Sequence, residues 1–408
     1  MTSLMTPNNA AHRWIPFHKS SIGDEEVREV EATLRSGWLT TGPRTAQFES
    51  EFKEYVDAPH ALAVNSATAG LHLALAALGI GPGDEVITTP NTFCSTVHTI
   101  LHVGATPVLA DVDSAGNISP QSVADRITRR TRAILPVHMA GLPCDMSALW
   151  AIARRHHLYV IEDAAHAVGA HWKGRPIGAG PSRAANDASD AVVFSFYATK
   201  NLTTGEGGMV TTHRESLANK MRSLCLHGTS RDAWSRYSER GSWYYEVVDC
   251  GFKYNLSDIQ SAIGLHQLRK LEQFISTRTR YAAIYNEALA GLETVECPLD
   301  RIESRHAWHL YILRLNLEHL EIDRAEFIET LRSRGIGTSV HFIPIPLHPY
   351  FAQLPLNGDQ CPRALALYPR IVSLPLYPAM TEEEVRYTAF SVRQTLESSR
   401  KLIFSLRA

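Results

Sequence analysis

Seven short apolar runs crowd the first half of this chain, at residues 61–65, 85–89, 106–111, 133–138, 159–163, 191–196 and 208–212. Most are continuous rather than alternating with polar residues. Continuous runs mark strands buried on both faces, the habit of parallel sheets. Helical patterns lie between several of them. Residues 67–78 are rich in Ala and Leu and stop at Gly79. Residues 147–156 close on Arg and His, where the helix dipole favours cations. Strand–helix alternation of this kind predicts an α/β fold, with a mostly parallel seven-stranded sheet flanked by helices. In such a sheet the ligand site lies at the carboxyl ends of the strands.

The texture changes after Asn255. Residues 257–274 read as a helix with Ser257 as its N-cap, and a charged helical stretch continues to about 289. Strands are expected at 309–315 and 337–342, and helices at 324–334 and 381–396. These elements predict a smaller C-terminal α+β domain over 265–408, after a large domain with an N-terminal arm over 1–264. The proline-rich stretch 344–355 carries Ile345, Leu347, Tyr350 and Phe351, and is expected to be an ordered loop over the site. The 408 residues include 40 basic and 42 acidic ones, for a formal net charge of −2. No block of like charge stands out, so neither nucleic acid nor a membrane surface is an expected partner. Six scattered cysteines form no Cys-x-x-Cys pair, which fits a reducing cytoplasm. Residues 1–11 have neither a basic leader nor an apolar core, and no apolar run approaches the length of a membrane span.

Chemistry concentrates at two strand ends. Lys200 follows the run 191–196 and precedes the turn Gly205-Glu206-Gly207-Gly208. An amine there can form a Schiff base with a carbonyl cofactor, although a lysine after a strand is more often simply solvated. Asp163 ends the run 159–163 and can face the same crevice. A carboxylate and an amine so placed suit pyridoxal phosphate: the aspartate keeps the pyridine nitrogen protonated and the lysine holds the aldehyde. Asn65-Ser66-Ala67-Thr68-Ala69-Gly70 ends one strand and opens a helix, a place for a phosphate or for a plain Ser/Thr N-cap. Ser195 could add a hydroxyl to that phosphate. Phe93 could stack on the pyridine or merely fill core. The 19 histidines are not expected to hold a metal through His-Glu-x-x-His or His-x-x-x-His spacing. Asp111-Val112-Asp113 could look like a cation site, but it reads as a strand-end turn before Ser114 and Gly116. Gly205–Gly208 precedes a strand, so it reads as a turn passing near the cofactor and not as a dinucleotide fingerprint.

Four motifs occur in order: Ser66-x-Thr68-Ala69-Gly70-Leu71-His72, Glu162-Asp163-Ala164-Ala165-His166-Ala167, Ser195-Phe196-x-x-x-Lys200-Asn201 and Gly205-Glu206-Gly207-Gly208. Together they resemble the DegT/StrS-type sugar-nucleotide aminotransferases, pyridoxal phosphate enzymes of fold type I (aspartate aminotransferase-like). The resemblance runs from about Gly37 to Phe342. It implies that Lys200 forms the Schiff base and shuttles the proton, and that Asp163 pairs with the pyridinium. It implies His166 on the cofactor's ring hydroxyl, Phe93 on the ring face, and Ala67, Thr68 and Ser195 on the phosphate. Asn255 would reach a partner subunit's phosphate in a homodimer with shared sites. Trp38, Leu39 and Thr40, with Val340, His341, Phe342 and Ile343, would line the sugar-nucleotide pocket. Lysine at 200 separates the chain from related dehydratases, in which histidine is expected there.

The resemblance implies transamination of a nucleotide-linked keto sugar, with an amino acid such as glutamate as donor. Glu-Asp-x-x-His tends to accompany amination at the sugar's 4-position in this family, so His166 favours a 4-keto-6-deoxy hexose. A 3-keto sugar or a keto-cyclitol is the alternative substrate. A non-catalytic cofactor-binding regulator would need a DNA-binding or signalling segment, and none is evident.

Overall fold

The computed structural model describes residues 14–182, 187–230, 244–356 and 360–401; the opening residues 1–11, read above as lacking a leader, lie outside them. Helices α1 (Asp24–Ser36) and α2 (Pro43–Tyr55) precede strand β1 (His60–Val64), then α3 (Ala67–Ala77), β2 (Glu85–Thr88), α4 (Cys94–His102) and β3 (Thr106–Leu109). Next come α5 (Pro120–Asp125), β4 (Thr131–Leu135), α6 (Met146–His156), β5 (Tyr159–Asp163), the two-residue strands β6 (His171–Trp172) and β7 (Arg175–Pro176), β8 (Ala191–Ser195), β9 (Gly208–Thr212) and α7 (Glu215–Cys225). The seven expected runs supply the seven strands of one sheet, in the order β1-β9-β8-β5-β4-β2-β3. Only β9 runs against its neighbours.

The continuous apolar runs have a direct packing cause. Along β8, Val192 and Phe194 enter one core with Phe48, Phe52 and Leu271. Val193, between them, enters the other with Leu71, Val210 and Met221. Side chains of a strand alternate between faces, so a sheet covered on both sides demands apolar residues at every position.

The chain continues with α8 (Asp258–Leu289), β10 (Val295–Glu296), β11 (Ser304–Arg305), β12 (Tyr311–Leu315), α9 (Arg324–Ser333), α10 (Pro362–Leu367), β13 (Ile371–Leu374) and α11 (Glu382–Ser398). Helix α8 opens on a reciprocal cap between Ser257 and Gln260. Its first half packs Leu265, Leu271 and Ile275 into the large core, and its second half packs Tyr281, Tyr285 and Leu289 into a separate one. The boundary expected at 264/265 falls inside this helix.

Two expectations need correction. Residues 337–342 form no strand: Gly337 N donates to Ile15 O at 2.8 Å, and Ser339 exchanges hydrogen bonds with Ser373. The third strand of the small sheet, in the order β10-β12-β13, is instead β13, four residues closed by Pro375. Residues 344–355 are ordered, with short helical turns at Ile345–Leu347 and Phe351–Gln353. They do not cover the site, because Ile345 and Phe351 are drawn into a core with Val97, Leu109 and Val112.

Candidate active site

A cavity of about 570 Å³ opens at the carboxyl ends of β5 and β8, lined by both Lys200 and Asp163. Asp163 is the last residue of β5 and lies in register with Val193 of β8. Beyond β8 the chain folds into a turn in which Lys200 N donates to Tyr197 O at 2.9 Å. The Asp163 carboxylate is held from two sides: Thr96 Oγ1 donates to Oδ2 at 2.8 Å, and Ala165 N donates to Oδ1 at 3.1 Å. Thr96 lies on α4, and its hydroxyl also meets Thr92 Oγ1 at 2.7 Å.

Burial governs the charges here. Desolvation lowers the Lys200 amine to about 8, against the attraction of Asp163. The same desolvation raises the Asp163 carboxyl, opposed by the bonds from Thr96 and Ala165 and by the charge of Lys200. His166 and His309 are pushed well below the ordinary imidazole value, first by burial, then by Lys200 for His166 and by His166 for His309. Their rings touch, with centroids 4.4 Å apart. Burial also lowers His18 and His341 to about 4. Four neutral imidazoles therefore line this cavity.

Three features test whether pyridoxal phosphate fits. His166 Nδ1 is buried without a hydrogen-bond partner among the described residues, the state of a group awaiting a ligand atom. The cavity is also lined by Ala67 and Thr68, in the first turn of α3, whose amides lack intrahelical acceptors, and by Ser195. Ser66 itself is the N-cap, accepting from Ala69 N at 3.1 Å, while Ala67 and Thr68 face the cavity. Gly208 passes so close that a Cβ would stand 2.6 Å from Phe194 O and 2.9 Å from Ala67 N, which only glycine tolerates. A held carboxylate, an amine-biased lysine, an orphaned ring nitrogen and a helix N-terminus match the cofactor's ring nitrogen, aldehyde, hydroxyl and phosphate. The group fits.

The structure also brings Phe93, His341 and Phe342 to this cavity, with the two phenyl rings 6.1 Å apart. Val340 and Ile343 flank them in sequence without lining it. Trp38, Leu39, Thr40 and Asn255 do not reach the Lys200 cavity of their own chain. Trp38, Thr40 and Asn255 line a second cavity of about 630 Å³, where Asn255 Nδ2 donates to Thr41 Oγ1 at 2.7 Å. The 205–208 turn behaves as expected, with Glu206 and Gly207 on the cavity wall. Asp111 caps α10 through Arg363 N and Ala364 N, and Asp113 accepts from Ala115 N and Asn117 N, so that segment is a structural turn.

Sequence reasoning missed Phe17, His18 and His309 as lining residues and Thr96 as the partner of Asp163. It also passed over one His-x-x-x-His pair, His98 and His102 on α4, whose rings stack with centroids 6.1 Å apart. Among the described residues no group of three or more His, Cys, Asp or Glu could hold a metal ion.

A mostly parallel seven-stranded sheet with a lysine and a carboxylate at neighbouring strand ends defines a fold-type-I pyridoxal phosphate enzyme. The chain belongs to the DegT/DnrJ/EryC1/StrS aminotransferase family, whose sequence model matches residues 20–393. It is 48% identical over 391 residues to the spore coat polysaccharide biosynthesis protein SpsC of Bacillus subtilis, covering 95% of this chain and 98% of that one. An uncharacterised protein of Methanocaldococcus jannaschii is 49% identical over 389 residues, covering 95% and 99%. Among solved structures, Spr1654 of Streptococcus pneumoniae, described as a sugar aminotransferase, superposes in its PMP form with a TM-score of 0.87 at 32% identity, covering 94% of this chain and 99% of that one. The protein is a pyridoxal phosphate-dependent sugar aminotransferase.

Proposed function

We propose that the enzyme transfers an amino group from an amino acid, with glutamate as the expected donor, to a nucleotide-linked 4-keto-6-deoxy hexose. The observation that carries the transamination is the shared cavity of Lys200 and Asp163 with the unpartnered His166 nitrogen beside them; the 4-position rests on His166 in the Glu162-Asp163-x-x-His166 motif. When bound, pyridoxal phosphate supplies the electron sink that makes a proton movable between carbons. Asp163, fixed by Thr96 and Ala165, keeps the pyridine nitrogen protonated. Lys200, lowered from 10.5 to about 8 by burial, exchanges between ammonium and amine far closer to neutral pH than an exposed lysine, so its Nζ can take up and return the proton. His166 offers its free nitrogen to the ring hydroxyl, and Ser195 with the first turn of α3 anchors the phosphate. Likeness to a protein named for spore coat polysaccharide biosynthesis supports a product destined for a glycan.

The working unit is a homodimer in the cytoplasm. Trp38, Thr40 and Asn255 stand away from their own chain's lysine and around a cavity of their own, which supports service to the partner's site. The test of the reaction is Lys200→Ala, assayed with glutamate and a nucleotide-4-keto sugar. Turnover should be lost while some cofactor still binds non-covalently; normal turnover would overturn the mechanism.

A further inference from the structure

We infer that His18 is a positioning residue for Lys200, acting through the carbonyl of Ala198. The inference rests on the reading of Lys200 given above. The segment that carries His18 begins on the small sheet's side of the molecule, where Ile15 N donates to Gly335 O at 2.8 Å and Ile15 O accepts from Gly337 N at 2.8 Å. Phe17 then stacks on His341, with ring centroids 5.4 Å apart and planes within 25°. Gly337 leaves room for it: a Cβ there would stand 2.9 Å from Phe17 N. One residue on, His18 Nε2 lies 2.9 Å from Ala198 O, and Ser20 Oγ donates to the same oxygen at 2.8 Å. Ser21 O closes the run by accepting from Gln267 Nε2 at 2.8 Å.

A carbonyl only accepts, so the proton of His18 sits on Nε2 and the ring is a donor. Its ring packs edge-on against Tyr377, with centroids 5.9 Å apart, which fixes its orientation. Two donors from one segment thus saturate the oxygen of Ala198, two residues before Lys200 in the turn closed by Lys200 N and Tyr197 O. Holding that peptide restricts rotation of the turn and so of the lysine stem. Phe17 and His18 both line the cavity, so one segment touches the expected sugar side at His341 and the lysine turn at Ala198.

The test compares wild type with His18→Phe, His18→Gln and Ser20→Ala in the full-length enzyme. Amide hydrogen exchange at residues 198–201 is followed with and without cofactor, beside kcat and KM for the sugar. His18→Phe should speed exchange of the Lys200 amide in the cofactor-free protein by roughly tenfold, the loss of one buried hydrogen bond. It should lower kcat by about tenfold or more through lysine misplacement, leaving KM within about twofold. His18→Gln keeps an N–H donor and should recover most of both. Ser20→Ala, remote from packing changes, should give a smaller shift in the same direction and serves if His18→Phe does not fold. Unchanged exchange in both His18→Phe and Ser20→Ala would overturn the proposal. So would a raised KM at wild-type kcat, the mark of a substrate contact, or a glutamine variant as impaired as the phenylalanine one. Failure of the aminotransferase reading would show separately, as wild-type protein without turnover, while the exchange readout still tests the contact.

Discussion

Thr96 Oγ1 donates to Asp163 Oδ2 at 2.8 Å, so a hydroxyl from α4 reaches across to the end of β5 and holds the carboxylate of the site. Burial alone would drive that carboxyl toward its neutral form, and the Thr96 bond is the largest influence opposing it. Asp163→Asn should therefore slow the half-reaction with the amino donor by roughly a hundredfold or more, the scale of losing a preorganised electrostatic partner. Thr96→Val should slow it by about tenfold, since a hydrogen bond to a charged group is lost but the charge remains. Stopped-flow measurement of the cofactor's absorbance change checks both, and near-wild-type rates in Asp163→Asn would make that residue structural.

Lys200 gives a pH signature in the cofactor-free protein. Its amine is lowered from 10.5 to about 8 by burial. The unfolded chain holds this proton up to about 10.5 while the folded chain releases it near 8. Between those values the unfolded state binds more protons, so the contribution of Lys200 to stability grows as pH rises. Reductive methylation followed by peptide mass spectrometry should show a reactivity midpoint for Lys200 near 8. A midpoint near 10.5 would mean the amine is not desolvated, and would remove the basis for its neutral form at working pH.

The large sheet was legible because its strands carry their own evidence: β8 and β9 are buried at every position, and Ala191–Phe194 and Gly208–Val210 within them read as apolar without gaps. Lys200 and Asp163 were legible as chemistry at the ends of such strands. The misses share a physical cause, which is dependence on contacts remote in sequence. His18 meets Ala198 across 180 residues, and nothing near His18 marks it. Strand β13 is four residues long and bounded by prolines, too short to show a period. Residues 337–342 look like a strand locally, but their partners are a bridge to Ser373 and the Ile15 segment. The position of Trp38, Thr40 and Asn255 at a second cavity depends on how α2 and α8 pack, which no local pattern encodes.

A shared dimer site can be tested by complementation. Lys200→Ala inactivates one site, and an Asn255 variant of low cofactor affinity weakens the site to which Asn255 contributes. If Asn255 serves the partner, a mixed dimer carries both lesions in one site and leaves the other intact. Activity should therefore reappear on mixing, approaching about one intact site per mixed dimer. No recovery despite proven subunit exchange, by tag-based capture of mixed dimers, would place Asn255 in the service of its own chain.

The position of the ketone is decided by how the sugar sits against Lys200 Nζ. His166 packs between His309 and Phe342, with ring centroids 4.4 and 5.8 Å away, so its ring cannot swing without disturbing the cavity wall. The same wall, with His341 and Phe93, lines the cavity in which the sugar would be oriented. A displacement of about 1 Å at the reacting carbon can cost roughly a hundredfold in rate. Enzyme first converted to its amine-loaded form by glutamate, then mixed with matched 3-keto and 4-keto nucleotide sugars, should return to its starting absorbance with the 4-keto sugar. The 3-keto sugar should react at least about a hundredfold more slowly. Return with the 3-keto sugar alone would overturn the 4-position, and amination of a keto-cyclitol alone would make that the substrate.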